Sequence, residues 1–258
     1  MNDYIFSQNE ENSELKRLKL LEWALDDHSI SILNSCGISR GMKCLEIGAG
    51  AGSILKWMGQ KVGMNGIATG CDQNVAYLNA LNDLPYEIIK GNFHDCMFSH
   101  KYDLIHLRYV LIHNREKIRI LEKIHSLLKK GGELVVEEPD FSSAKDISGS
   151  GITSHENVNK AMNTMFRNMD LFPDYGLRLP GDLVRTGFSI KNIESVIHLS
   201  NGKSKIAVMM AESAKALKEK YTSTGIASEN DINNYIINSY NDKYWSVYYS
   251  TISIVAVK

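Results

Sequence analysis

Between residues 45 and 53 the chain reads Leu45-Glu46-Ile47-Gly48-Ala49-Gly50-Ala51-Gly52-Ser53. Small residues at this spacing let a backbone bend tightly and approach a ligand without Cβ clashes. A helix opening behind the bend adds unpaired N–H groups. A ligand with an extended polar chain fits such a place. Ser53 stands where a dinucleotide fingerprint puts its third glycine, which argues against a pyrophosphate. Glu46 argues against it further, because a carboxylate beside the bend repels phosphate and suits an ammonium or sulfonium group. The plainer reading of these glycines is close packing of strand on helix. Three histidines, His94, His106 and His113, lie near strand ends or a helix start; of these His113 is the candidate base. It can equally do no more than bond a backbone group there.

The elements that carry these residues follow from hydrophobic periodicity. Leu15, Leu18, Leu21, Leu25 and then Ile30 and Leu33 recur at helical spacing, so the chain opens with amphipathic helices. Lys43–Ile47, Gly66–Cys71, Tyr86–Lys90, Tyr102–His106 and Glu133–Glu137 read as short buried strands. Helices are expected between them, from about Asn74 to Asn82 and from Arg115 to Leu128, the latter capped by Asn114. Five strand-helix alternations imply a parallel sheet with helices on both faces. Beyond Pro139 the rhythm breaks. Residues 141–180 hold helical spacing at Val158, Met162, Met165 and Met169, then a turn-rich stretch at Phe172–Gly176. They read as an insertion over the carboxyl edge of the sheet, with Phe141, Phe166, Phe172 and Tyr175 able to cover a small, partly apolar ligand. A helix near Gly181–Thr186, a strand near Ile193–Leu199, two helices between about Ile206 and Tyr240, and a strand in Ser246–Val257 complete the chain.

The glycine segment resembles the first motif of the class I S-adenosylmethionine-dependent methyltransferases, Glu-x-Gly-x-Gly-x-Gly, and the likeness continues in order over about residues 40–140. It implies an α/β, Rossmann-like, doubly wound and mostly parallel seven-stranded sheet with an antiparallel C-terminal edge pair and a helical cap. It also implies S-adenosylmethionine as cofactor, held by Glu46, Gly48, Ala49, Gly50 and Gly52. Cys71-Asp72-Gln73-Asn74 is similar to the family's acidic second-strand end, where Asp72, beside Gln73, would accept bonds from the ribose hydroxyls. Asp72 can instead cap the following helix. Gly91-Asn92-Phe93-His94-Asp95 is similar to the adenine-contacting segment, with Asn92 where many relatives carry Asp. Tyr102–His113 is similar to the fourth motif of the small-molecule branch, so the backbone near Leu107 and Arg108 would hold the methionine end. Glu14-Leu15-Lys16-Arg17-Leu18 is similar to a helix lying over the cofactor, so Arg17 would pair with its carboxylate; the Lys16-Arg17-Lys19 run also reads as a solvated face.

The resulting division is 1–40 over the cofactor site, 41–140 as the binding core, 141–180 as cap, and 181–258 completing the sheet. The expected reaction moves a methyl group to an N, O or C atom of a small-molecule acceptor by in-line displacement, with no metal. Two alternatives share the cofactor: an enzyme acting on a quinone precursor or RNA, and a non-catalytic binding module. Lys plus Arg number 29 against 30 Asp plus Glu, for a net charge of -1, so no concentrated basic face favours nucleic acid. No apolar run approaches the roughly 20 residues that a membrane span needs. The four cysteines are scattered without disulfide or metal spacing, and the polar, acidic start is unlike an export signal, so a cytoplasmic protein is expected. Oligomeric state is not legible.

Overall fold

The computed structural model describes residues 5–6, 11–78, 86–147 and 153–258. Strands β1 (Lys43–Ile47), β2 (Ile67–Asp72), β3 (Tyr86–Lys90), β4 (Tyr102–Arg108) and β5 (Leu128–Asp140) pair in parallel in the order β3-β2-β1-β4-β5. Chain order reverses between β1 and β4, so a crevice opens at their carboxyl ends. β8 (Trp245–Val257) lies antiparallel between β5 and β7 (Ser189–Asn201). The sheet has eight strands rather than seven, because β6 (Lys145–Asp146) joins β8 just past the end of β5.

Alternation along the buried strands divides the core between the two faces. Leu134 and Val136 of β5 pack on α3 (Lys117–Leu127) and α5 (Tyr175–Arg185), through Leu121, Ile124 and Leu183. Val135 points the other way, with Leu104, into Leu55 and Met58 of α2 (Ser53–Val62) and Leu33 of α1 (Glu11–Ser35). A third cluster lies above the strand ends. It joins Val158, Met162 and Phe166 of α4 (Ser154–Asn168) to Ala207 and Met210 of α6 (Lys205–Ala216), Tyr221 of α7 (Lys218–Thr222), and Ile232 and Tyr235 of α8 (Glu229–Ser239). Leu25 of α1 and Tyr248 and Tyr249 of β8 close it from below.

Several local expectations differ. The N-terminal apolar pattern forms one continuous helix, α1. After β2 only a 3-10 turn, Ala76–Leu78, is formed, and the rest of the helix expected to reach Asn82 falls in 79–85, outside the described residues. Asn114 does not cap α3. Its amide donates to the Val110 carbonyl at 2.7 Å, and α3 begins after Glu116 with no side-chain cap. The stretch containing Pro173 and Gly176 turns only as far as Asp174, and α5 then runs through Pro180 to Arg185. Between β7 and β8 there are three helices where two were expected, and β7 extends well beyond Ile193–Leu199 at both ends.

Candidate active site

The glycine segment lies between β1 and α2 and turns through the left-handed region at Gly48, Gly50 and Gly52, with φ of 71°, 55° and 89°. A Cβ on Gly48 would stand 2.5 Å from Val110 Cγ2, so the bend and the β4 loop are packed backbone to side chain. The Gly50 N–H donates to Asp72 Oδ2 at 2.8 Å, and the Asn74 N–H donates to Oδ1 at 2.9 Å. Asn74 itself accepts from the Ala76 N–H and so caps the turn that Asp72 was weighed for. Burial pushes the Asp72 carboxyl upward, and its backbone donors oppose the rise. α1 covers the bend: Glu22 accepts from the Ser53 N–H at 3.0 Å, and Leu18 lies near Gly50.

Beneath the bend the strands carry a line of buried charge. Residue register places Glu46 beside His106. His106 Nδ1 is 2.7 Å from Glu46 Oε2, and its Nε2 is 2.9 Å from Glu137 Oε1. Both ring nitrogens can donate only from an imidazolium. Burial alone would lower the His106 pKa, yet the two carboxylates raise it to about 9. Burial raises Glu46, while His106 and Arg108 overcome the same effect at Glu137 and hold it low. Arg108 continues the line into α1, donating to Asp26 Oδ1 at 3.0 Å and Ser29 Oγ at 2.8 Å. Glu46 therefore faces the crevice with one oxygen already held from behind.

At the end of β3, Asn92 is exposed and its Oδ1 accepts from the His94 N–H at 3.2 Å, while Phe93 is buried 5.4 Å from Phe98. Lys123 donates to the carbonyls of Phe93, His94 and Cys96 and holds this loop. After β4, Tyr109 takes a left-handed φ of 56° and the chain makes a 3-10 turn, Leu111–His113. Buried Glu138 accepts from the N–H groups of Val110, Leu111 and Ile112 at 3.0, 2.7 and 3.0 Å, and burial raises its pKa to about 8 against those donors. His113 stacks on Phe166 at 6.3 Å. Burial first, then Arg17 and Lys117, lower its pKa to about 3. Arg17 forms a two-bond pair with Glu14, at 3.0 and 2.7 Å, and lies over the Phe6 ring.

One cavity of about 930 Å³ unites these features. Of the residues singled out in the sequence, Arg17, Glu46, Gly48, Ala49, Gly50, Asp72, Gln73, Asn92, Phe93, Arg108 and His113 line it; Gly52 and Leu107 do not. Leu107 belongs to the core of the sheet. The sequence reading missed Glu14 as the partner of Arg17, Tyr109, and the lining from α6 and beyond: Met209, Met210, Leu217, Tyr221 and Tyr249. The adjacent pair Met209-Met210 inside an apolar helical run was the available signal, and it reads equally as core.

The bend fits a ligand that brings a cation and a sugar. The glycine bend lines the cavity, Asp72 retains lone-pair capacity, and Glu46 supplies a negative end. A family model described as a methyltransferase domain matches residues 23–197. Methyltransferase str2 of Strobilurus tenacellus is 27% identical over 164 residues, 57% of this chain and 53% of that protein, so the chain spans about half the length of this curated relative. The YcgJ protein of Bacillus subtilis is similar with a TM-score of 0.59 at 15% identity, covering 90% of this chain and 98% of that one. A SAM-dependent methyltransferase of Aquifex aeolicus gives a TM-score of 0.54 at 15% identity, covering 96% and 99%.

Proposed function

The chain belongs to the methyltransferase-domain family, S-adenosylmethionine-dependent enzymes of class I fold, and from that premise we propose that it methylates an N, O or C atom of a small-molecule acceptor by in-line displacement. The observation that carries this reading is the continuity of the cavity. The same space touches Glu46, Gly48, Asp72 and Asn92 at the strand ends and Phe141, Phe166 and Tyr249 under the cap. At about 930 Å³ it lies near the upper end of single-ligand sites, which suits two molecules side by side.

In this reading the Gly48–Gly50 backbone approaches the amino-acid chain of the cofactor, Asp72 holds its ribose, and Asn92 and Phe93 meet its base. Glu46, steadied by His106, takes the ammonium group, and the Arg17–Glu14 pair in α1 closes over the methionine end. When bound, the cofactor supplies a methyl group already activated by positive charge on sulfur. The work left to this chain is alignment and exclusion of water, for which a cap built on buried methionines and aromatics is suited. Glu138 fixes the turn that presents Tyr109 and His113 to the acceptor. His113, neutral and weakly basic as it stands, positions the acceptor by hydrogen bonding more readily than it removes a proton. Among the described residues no helix is long and apolar enough to cross a membrane.

Incubation with isotopically labelled S-adenosylmethionine and fractionated small-molecule extracts, read by mass spectrometry, tests the proposal. A low-molecular-weight product carrying the label supports it. Label found only in RNA or protein, or no transfer to any fraction, refutes it.

A further inference from the structure

Of the charge line beneath the bend, Glu46 and Arg108 reach the cavity, whereas His106 and Glu137 do not line it and are 0% and 1% exposed. The line can be counted charge by charge. His106 is 2.7 Å from Glu46 through Nδ1 and 2.9 Å from Glu137 through Nε2, so one imidazolium serves two carboxylates. Arg108 is balanced by Asp26 of α1 at 3.0 Å, with Ser29 taking a second bond.

The remaining neighbours leave that count unchanged. From β8, Ser253 donates its hydroxyl to Glu137 Oε2 at 3.4 Å. His28 of α1 is 3.0 Å from that hydroxyl and 3.9 Å from the same carboxylate, and is the second histidine on Glu137. The phenols of Tyr109 and Tyr249 lie close by, and burial keeps them neutral. Glu22, which covers the bend from α1, is paired with Lys19 at 2.7 Å. With His28 neutral, the line closes at one negative charge in excess, and Glu46 is where that charge meets the cavity. A Glu46–His106 pair by itself is neutral and offers a cation little. Excess buried charge is costly without a counter-ion, and a cation placed against Glu46 supplies one.

We propose that Glu137 and His106 are positioning residues for the cationic end of the cofactor: Glu137 supplies the excess negative charge, and His106 passes it to Glu46 while fixing the orientation of that carboxylate. The inference rests on the cofactor reading above. It adds that the preference for a cation is set behind the cavity wall, by a residue the ligand does not touch.

Titration calorimetry on the full chain without acceptor tests this with two ligands. S-adenosylmethionine carries a net positive charge; 5′-methylthioadenosine keeps the adenosine and the sulfur but is uncharged. A His28→Gln background removes the second histidine on Glu137. In that background Glu137→Gln should weaken S-adenosylmethionine about tenfold at about pH 6, the order expected for a unit charge roughly 10 Å away at an effective dielectric of about 20. At about pH 8 the loss should shrink to about threefold or less, because His106, left with one carboxylate, gives up its proton at lower pH and Glu46 regains the excess charge. The uncharged ligand should bind within about twofold at both pH values. Asp26→Asn, at a less buried position, unbalances Arg108 and should weaken S-adenosylmethionine alone, which keeps the charge count testable if Glu137→Gln does not fold. A loss equal at both pH values, an equal loss for the uncharged ligand, or no loss overturns the positioning role alone. Failure of S-adenosylmethionine to bind the unsubstituted chain overturns the cofactor reading, and the inference with it.

Discussion

Asp72 accepts backbone N–H bonds from Gly50 on one carboxylate oxygen and from Asn74 on the other, with Gln73 donating as well, and a carboxylate of about four acceptor sites still has capacity for a sugar hydroxyl. Asp72→Ala removes both the proposed ribose acceptor and the tie to the bend. S-adenosylhomocysteine affinity should fall roughly tenfold to a hundredfold, the range for a hydrogen bond to a charged group, with Asp72→Asn intermediate; titration calorimetry reads it. His106 makes a different prediction. Its folded pKa, about 9, lies above the ordinary histidine value, so the stability it contributes is full below about pH 6.5 and is lost as pH rises through about 9. Glu46, also raised, loses its contribution with rising pH from the carboxylate range upward, whereas Glu137, lowered, loses its own only as pH falls below that range. Urea unfolding should therefore show stability declining between about pH 6.5 and 9, and His106→Gln should flatten the decline. An undiminished slope in that variant would place the alkaline loss elsewhere.

The elements around the site differ in what they tolerate. Gly48→Ala meets Val110 at 2.5 Å in a left-handed backbone conformation, so bend and loop must separate. A stability loss of about 1–3 kcal/mol is expected in thermal unfolding, accompanied by loss of cofactor affinity. Glu138→Gln replaces one of the oxygens shared by three backbone donors with an N–H₂ group. It should cost about 1–3 kcal/mol and reduce turnover more than S-adenosylhomocysteine binding, because the turn it holds carries the residues proposed to meet the acceptor. These elements were unequally visible in the chain. β1 to β5 could be read because buried parallel strands are short apolar runs between turn residues, and the glycine bend marked where the first strand stops. Glu46, Asp72 and Asn92 could then be placed at strand ends. The pairing of Glu46 with His106 was hidden, since it depends on which residues of β1 and β4 stand side by side across 60 positions of sequence. Pro173, Gly176 and Pro180 disguised α5 as loop, although the helix starts directly after Asp174 and accommodates Pro180. α6 to α8 were legible as helices, but nothing in their amphipathic pattern distinguishes a wall over the strand ends from one on the flank of the sheet. Met162 and Met210 consequently meet from segments almost 50 residues apart with no local sign of it.

For the molecule as a whole, the proposed cofactor site and the proposed cap share one cavity walled by α1, the strand ends, α4, α6 and α7. A ligand that fills it bridges the sheet to the cap and must stabilise both. S-adenosylhomocysteine at about a hundred times its dissociation constant should add about 2.7 kcal/mol to the native state, a rise of roughly 5–10 °C in Tm for a chain of this size. NAD should give no comparable rise, because a carboxylate beside the bend, Glu46, disfavours phosphate. The most direct measurement is a crystal structure grown with S-adenosylhomocysteine. Its ribose should lie within hydrogen-bond distance of Asp72, its amino group toward Glu46, and its sulfur facing the ring wall of Phe141 and Phe166. Density for the ligand on any other surface, or a ribose without contact to Asp72, would contradict the assignment of this cavity.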